Sequence, residues 1–175
     1  QNDMVSIGYT TIPEINYGFG VSIGYKGFDA SIFFSGVDHV TRQIGGSNLY
    51  GGSDNPLYTS QVFEDVALNH WTKENPNTNA PYPRLGTTRS NNNQQVSDYW
   101  TRDMSFLRLK NAEVGYTFPK KWTKKAGIQA LRIYVAGTNL LTFSNFKLWD
   151  PELDTAYGTV YPITSNVSLG LNINF

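Results

Sequence analysis

A two-residue period recurs in five segments of this chain, and no other feature constrains the fold as tightly. The clearest copy is the closing stretch, "NVSLGLNINF", residues 166–175. Val167, Leu169, Leu171, Ile173 and Phe175 alternate with Asn166, Ser168, Gly170, Asn172 and Asn174, and the polar half carries no charge. Successive side chains of a strand point to opposite faces, so the pattern predicts a ribbon with one apolar face and one small, polar face. The same period runs through 17–25 and 28–37, joined by Lys26-Gly27 as a tight turn, and through 105–118 and 131–143. Two places break it. Phe33 falls on the polar side, and the parity of Leu107 and Leu109 differs from that of Ala112, Val114, Tyr116 and Phe118. A bulge near Lys110-Asn111 reconciles the two halves.

The links between segments alternate in length. Lys26-Gly27 and 119–130 are short, whereas 38–104 and 144–165 are long. An all-β, antiparallel up-and-down transmembrane β-barrel has this layout, with short periplasmic turns and long extracellular loops. The segments also reach the ~9–11 residues that a tilted strand needs to cross a bilayer. The parity of the links puts the C-terminus on the periplasmic side of an outer membrane. Lipid is then the expected solvent of Val167, Leu169, Leu171 and Ile173, while Asn166, Ser168, Asn172 and Asn174 face the lumen. Aromatics gather where interfacial girdles belong: Tyr25, Phe28, Phe118, Trp122 and Phe175 at the short-turn end, Tyr17, Phe106, Phe143 and Phe146 at the other. Asp29, Glu113 and Arg132 fall opposite most apolar positions and can face the lumen. Arg108 and Lys110 depend on where the bulge sits.

Composition points the same way. Only 16% of the residues are charged against 39% hydrophobic, a poorly charged surface for a soluble protein. A soluble β-sandwich, as in a carbohydrate-binding or adhesin module, is the alternative, and low charge, strand length and aromatic ends all weigh against it. Zero net charge gives no support for a nucleic-acid partner, and the lack of Cys excludes disulfides and thiolate chemistry. Five strands cannot close a barrel whose smallest bacterial form has eight. An open edge in hydrocarbon would leave costly unpaired backbone groups. The missing strands are expected on polypeptide outside this sequence, preceding Gln1. A start at Gln1 without Met or signal peptide is read as a piece of something, either a mature protein or an internal cut.

Several stretches in order resemble one family. "SFLRLKNAEVGYTFPKKW" (105–122), "LRIYVAGTNLLTFSNFKLWDPE" (131–152) and "SLGLNINF" (168–175) resemble the carboxyl end of the SusC/RagA-like TonB-dependent outer-membrane transporters. "GYTTIPEINYGFGVSIGYKGFDASIFFSG" (8–36) and "NHWTKENPNTNAPYPRL" (69–85) resemble the same family. The resemblance implies a plugged barrel of roughly 22 strands, of which this chain supplies the last five. It implies a Gram-negative outer membrane and a SusD-like surface lipoprotein that lids the barrel. It also implies contact with the TonB complex through an amino-terminal region that is not recognisable here. The substrate it implies is a large nutrient, a glycan oligosaccharide first and a peptide second. The aromatic terminus, Phe175, would serve as the signal read by the barrel-assembly machinery, beside plain interfacial anchoring.

No catalytic constellation stands out, so a hydrolase lacks support. His39 and His70 are the two histidines and sit far apart without metal-ligand spacing. Asp150-Pro151-Glu152-Leu153-Asp154 could gather a cation, but a turn with solvated charges is the plainer reading. Gly45-Gly46 and Gly51-Gly52 lack the Lys and Ser/Thr of a phosphate loop. No cofactor and no metal are expected. The long link 38–104 is polar, with one candidate helix over 60–71 whose Val62, Phe63, Val66, Ala67 and His70 share a face. Trp71, Tyr82, Trp149, Tyr157 and Tyr161 are the loop aromatics that can stack on a sugar ring or peptide side chain, contact the lid, or pack together to stiffen the loops. Lys120-Lys121 and Lys124-Lys125 form a basic cluster on a short turn.

Overall fold

The computed structural model describes residues 5–52, 61–88 and 90–175. Seven strands occur among them: β1 (Ile15–Tyr25), β2 (Phe28–Asp38), β3 (Thr41–Gln43), β4 (Thr101–Asp103), β5 (Phe106–Thr117), β6 (Ala130–Ser144) and β7 (Asn166–Asn174). Three short helices join them: α1 (Ser47–Tyr50), α2 (Glu64–Asn69) and α3 (Lys120–Thr123). The chain divides into a sheet unit (Pro13–His39, Ser105–Asn145, Pro162–Phe175) and a loop unit (Gln1–Ile12, Val40–Met104, Phe146–Tyr161). No described helix is long and apolar enough to cross a membrane.

The sheet unit is one antiparallel sheet in the order β1-β2-β5-β6-β7. Strand ends fall within two residues of those the alternation predicts, and Phe175 lies one residue past β7. Both residues of the β1–β2 turn, Lys26 and Gly27, have positive φ, the twist that a two-residue hairpin needs. Register slips between Phe33 and Phe34 opposite Lys110, so the bulge sits at that lysine. It sends Arg108 to the polar face with Ser35 and keeps Leu107 and Leu109 on the apolar one. A second irregularity spans Asn139, whose φ of 53 is tolerated by its short polar side chain. Its amide reaches the Thr164 carbonyl (3.3 Å) and its own carbonyl accepts from Ser165 Oγ (2.5 Å), which fixes where β7 begins.

Register lines up one continuous apolar face. Phe19, Phe34 and Leu109 are successive neighbours, as are Val21, Ile32 and Ala112. Val114, Val135 and Leu169 form another row, and Tyr116, Ile133 and Leu171 the next. This face is open: Val167 is 71% exposed, Leu169 82% and Ile23 69%. The buried apolar side chains lie elsewhere. Val40, Ile44, Leu49, Val66, Tyr82, Trp100, Met104 and Phe146 all belong to the loop unit, and Phe106 is the one described exception.

Two of the aromatics assigned to a girdle sit differently. Phe106 shares the parity of Arg108, so it is buried on the polar face beneath that guanidinium (5.5 Å). Phe146 lies past β6 and is buried against Trp149 in the loop unit. Phe33, the exception to the alternation, lies over Gly18 and Gly20 of β1 and fills the space that those residues leave.

Two side chains each tie three strands by crossing a glycine. On the apolar face Tyr17 of β1 passes over Gly36 of β2 and donates to the Phe106 carbonyl of β5 (3.3 Å). On the polar face Arg132 of β6 passes over Gly115 of β5 to Asp29 of β2, donating through Nε (3.1 Å) and Nη2, and also meets Glu113 Oε1 (2.5 Å). The three charges that the sequence puts on one face are thus one cluster, with Arg132 stacked on Tyr134 (4.8 Å). A Cβ at Gly36 would meet the Tyr17 ring and the Phe106 backbone, whereas one at Gly24 would find its nearest atom at 3.8 Å. Gly36→Ala is expected to destabilise the full-length protein by about 1–3 kcal/mol and Gly24→Ala to leave it unchanged. Denaturant titration in detergent, followed by tryptophan fluorescence, checks this. Equal midpoints for the two variants would remove the packing role of Gly36.

Candidate functional site

The loop unit is an organised body rather than a polar tether. β3 and β4 pair as a short ribbon, extended by Ile44 N–H to the Trp100 carbonyl (2.9 Å) and Met104 N–H to the Val40 carbonyl (3.0 Å). Gln43 donates to the Ser97 carbonyl (2.8 Å) and accepts from Thr101 Oγ1 (2.7 Å). The two long links are stitched together. Gly45 N–H donates to the Ala156 carbonyl (2.9 Å), Asn48 Nδ2 donates to the Tyr157 carbonyl (2.8 Å), and Arg42 pairs with Asp154 (2.6 Å). The carboxylate-rich segment is a turn: Asp150 accepts the Glu152 and Leu153 amides, and Asp154 is taken by Arg42.

The candidate helix over 60–71 is shorter in the structure, Glu64–Asn69, and Ser60 lies outside the described residues. Its start has no side-chain cap, and Glu64 and Asp65 in the first turn favour a beginning there. Val66 is buried, while Ala67, expected on the same face, is exposed. His70 closes the helix. Its Nδ1 faces the Val66 (3.1 Å) and Ala67 (2.9 Å) carbonyls, so that nitrogen carries the proton and acts as a C-terminal cap. His39, in the sheet unit, faces Glu14 (3.5 Å).

The five singled-out aromatics separate into supporting and exposed positions. Tyr82 is buried, and its hydroxyl donates to Asp65 Oδ2 (2.5 Å), whose other oxygen accepts from Asn69 (2.7 Å). Trp71 is half-buried, and its backbone N–H donates to the Tyr82 carbonyl (3.0 Å). Trp149 packs on Phe146 (4.8 Å), Phe63 (5.8 Å) and the backbone of Gly158. Phe63 directly precedes α2, so one line of packing joins Trp149 to the helix that holds Tyr82. Tyr157 stays half open against Gly46, and Tyr161 is 84% exposed.

A feature absent from the sequence reading is a cleft of about 270 Å³ lined by Pro83, Asn92, Asn93, Ser97, Tyr99 and Trp100. Trp100 forms its floor. The indole is buried, held edge-on by Tyr50 (4.8 Å) and Tyr99 (4.9 Å), and donates to the Asn93 carbonyl (2.8 Å). Tyr99 keeps part of its ring exposed while its hydroxyl donates to the Ala80 carbonyl (3.1 Å), and burial pushes that hydroxyl's pKa up. The Asn92 and Asn93 amides make no internal hydrogen bond among the described residues. An aromatic edge beside free amides suits a ligand with both apolar faces and hydroxyl or amide groups. The signal in the sequence was "NNNQQVSDYW", where an amide run meets an aromatic pair.

Burial first, and then the Asp65 hydrogen bond, push the Tyr82 pKa well above the usual phenol range. A folded-state pKa above the unfolded one makes this a stabilisation present below about pH 10 and lost as pH climbs beyond it. Tyr82→Phe is expected to destabilise the α2 region by about 1–3 kcal/mol, because the Asp65 carboxylate loses a donor. Hydrogen exchange of the α2 amides should accelerate below pH 10, and the variant and wild type should converge as pH rises above it. Unchanged protection would show that the Tyr82–Asp65 bond carries no stability.

No protein-family model matches the chain. Among curated proteins it is similar to TonB-dependent receptor P3 of Formosa agariphila, 30% identical over 178 residues, covering 93% of this chain and 16% of that one. It is similar to TonB-dependent receptor SusC of Bacteroides thetaiotaomicron, 32% identical over 120 residues, covering 67% of this chain and 11% of that one. Among solved structures it is similar to the RagAB peptide importer in its closed-closed state, at 25% identity and a TM-score of 0.75, covering 97% of this chain and 18% of that one. The open-open state of the same importer gives 26% identity and a TM-score of 0.73 over 95% of this chain. The chain thus spans less than a fifth of the length of these relatives. They are receptors and transporters, not enzymes. Sequence and backbone agree, and the chain belongs to the SusC/RagA-like TonB-dependent receptors.

Proposed function

We propose that this chain is wall and loops of an outer-membrane importer that takes up a glycan oligosaccharide with a SusD-like lipoprotein as its lid. The single observation that carries the reading is the inverted distribution of apolar side chains. The sheet exposes its apolar face, with Leu169 at 82% and Leu171 at 57%, while the described core sits in the loop unit. Hydrocarbon is the solvent that makes such a face favourable, and both edge strands, β1 and β7, then pair with strands of the same protein outside this sequence. Val167, Leu169, Leu171 and Ile173 meet lipid, the polar face lines the lumen, the loop unit is extracellular, and Phe175 is the periplasmic assembly signal. Energy arrives from TonB through the part of the protein not contained here.

Within the loop unit, Tyr157 and Tyr161 meet the glycan or the lid, and Trp71, Tyr82 and Trp149 hold the loops that present them. The free amides and part-exposed Tyr99 of the cleft support a sugar, which offers apolar ring faces and hydroxyls. A peptide substrate is the second reading, favoured by the likeness to the RagAB peptide importer.

Two measurements test this. Leu171→Arg should destabilise the inserted protein by about 2–4 kcal/mol if Leu171 lies near the midplane, with Asn172→Arg milder; equal losses would reject the assigned facing. Calorimetric titration of the full-length transporter and its lipoprotein with oligosaccharides and with short peptides should give heat with the former. Tyr157→Ala and Tyr161→Ala should each weaken binding about 3- to 10-fold, the size of a lost aromatic contact. Binding of peptides alone would replace the glycan reading with the second one.

A further inference from the structure

The short-turn end of the sheet carries a charge pattern to which the reading above gives no role. The β5–β6 link turns through α3 and a 3-10 turn, Lys124–Ala126, and closes at Gly127 with φ 73. Buried Thr123 anchors it, its carbonyl accepting the Ile128 amide (3.2 Å). Lys120, Lys121, Lys124 and Lys125 are all exposed, and none of their ammonium groups has an ion pair among the described residues. No Asp or Glu occurs between Glu113 and Asp150 to neutralise them. Lys120 with Lys124, and Lys121 with Lys125, are spaced four apart, where like charges on a helical turn repel.

What lies beside the cluster gives it a use. Phe28, Tyr116, Phe118 and Trp122 form a row of rings at centroid distances of 4.5, 5.1 and 6.3 Å that begins on the apolar face. Trp122 is 61% exposed at its end, and Tyr25, 71% exposed, flanks the neighbouring turn under Lys26 Nζ (5.1 Å). Tryptophan and tyrosine rings rest at the level of lipid headgroups, and lysines beyond them extend into the phosphate layer. Rings alone anchor in any headgroup layer, whereas four unneutralised ammonium groups select for negative charge.

We infer that the β5–β6 turn is a binding site for anionic phospholipid headgroups in the leaflet at the short-turn end, Trp122 seating among the acyl-chain necks and Lys120, Lys121, Lys124 and Lys125 holding the phosphates. The inference rests on the reading above that the apolar face meets lipid. The test uses the full-length transporter in nanodiscs of phosphatidylcholine with a minority of phosphatidylglycerol. The lipid retained by the protein on release is identified by native mass spectrometry. Wild type should retain phosphatidylglycerol in preference to phosphatidylcholine, and less of it as salt rises. The K120Q/K121Q/K124Q/K125Q variant should lose that preference by about tenfold or more, and the matching four-arginine variant should keep it. Inorganic phosphate should not displace the lipid. Equal enrichment in wild type and glutamine variant, or displacement by inorganic phosphate, overturns the inference while the membrane reading stands. A wild type that enters no bilayer overturns both.

Discussion

Everything in the sheet unit follows from where its peptide groups find partners. Each interior strand is laddered on both sides, so its backbone needs nothing from the medium, and the side chains alone decide what that medium is. On the apolar face they are mainly Phe, Val, Ile and Leu at open positions; on the other they are mainly Asn, Ser and Gly, with the Asp29–Glu113–Arg132 cluster and the buried Phe106–Arg108 pair among them. A water-soluble sandwich would lay a second layer over the first face. That face is exposed, and the described buried apolar side chains, Phe106 apart, belong to the loop unit. The proposed membrane reading resolves this distribution by making lipid the second layer.

Register is the second requirement, because a one-residue slip would turn every apolar side chain to the wrong face. Ladder hydrogen bonds alone resist slippage weakly in strands as rich in glycine as β1. The crossings of Tyr17 over Gly36 and Arg132 over Gly115 add a lateral lock on each face. Each is specific to one register, since only there does the side chain find both a missing Cβ beneath it and an acceptor two strands away. The bulges at Lys110 and Asn139 complete the alignment by absorbing the residues that would otherwise invert the pattern.

The loop unit answers a different problem, that of holding irregular backbone in a defined shape. It does so with ordinary means: a two-stranded ribbon, stitches between the two long links, and a core built on Ile44, Leu49, Val66 and Trp100. Rigid loops can present a few aromatic rings in fixed places, which is how a binding surface avoids the entropy of ordering itself on contact. Tyr157, Tyr161 and the edge of Tyr99 are among the rings that this packing leaves exposed.

The strands, the turn at Lys26-Gly27 and the bulge at Lys110 were legible in the sequence because each is a local matter. Alternation, turn chemistry and a change of parity are set by neighbouring residues whatever the rest of the chain does. The shared face of Asp29, Glu113 and Arg132 was legible for the same reason, but that they touch depends on which strands are adjacent. Phe106 and Phe146 were misplaced because position at a strand end says nothing about face or about the packing beyond it. The cleft around Trp100 and the burial of Tyr82 were not legible at all, since they arise from side chains far apart in the chain meeting in irregular structure. By itself, then, the sequence determined which side chains share a surface, because strand geometry is periodic. Only the tertiary structure decided which of the loop aromatics are scaffolding and which are free, because burial depends on long-range contacts that no local period encodes.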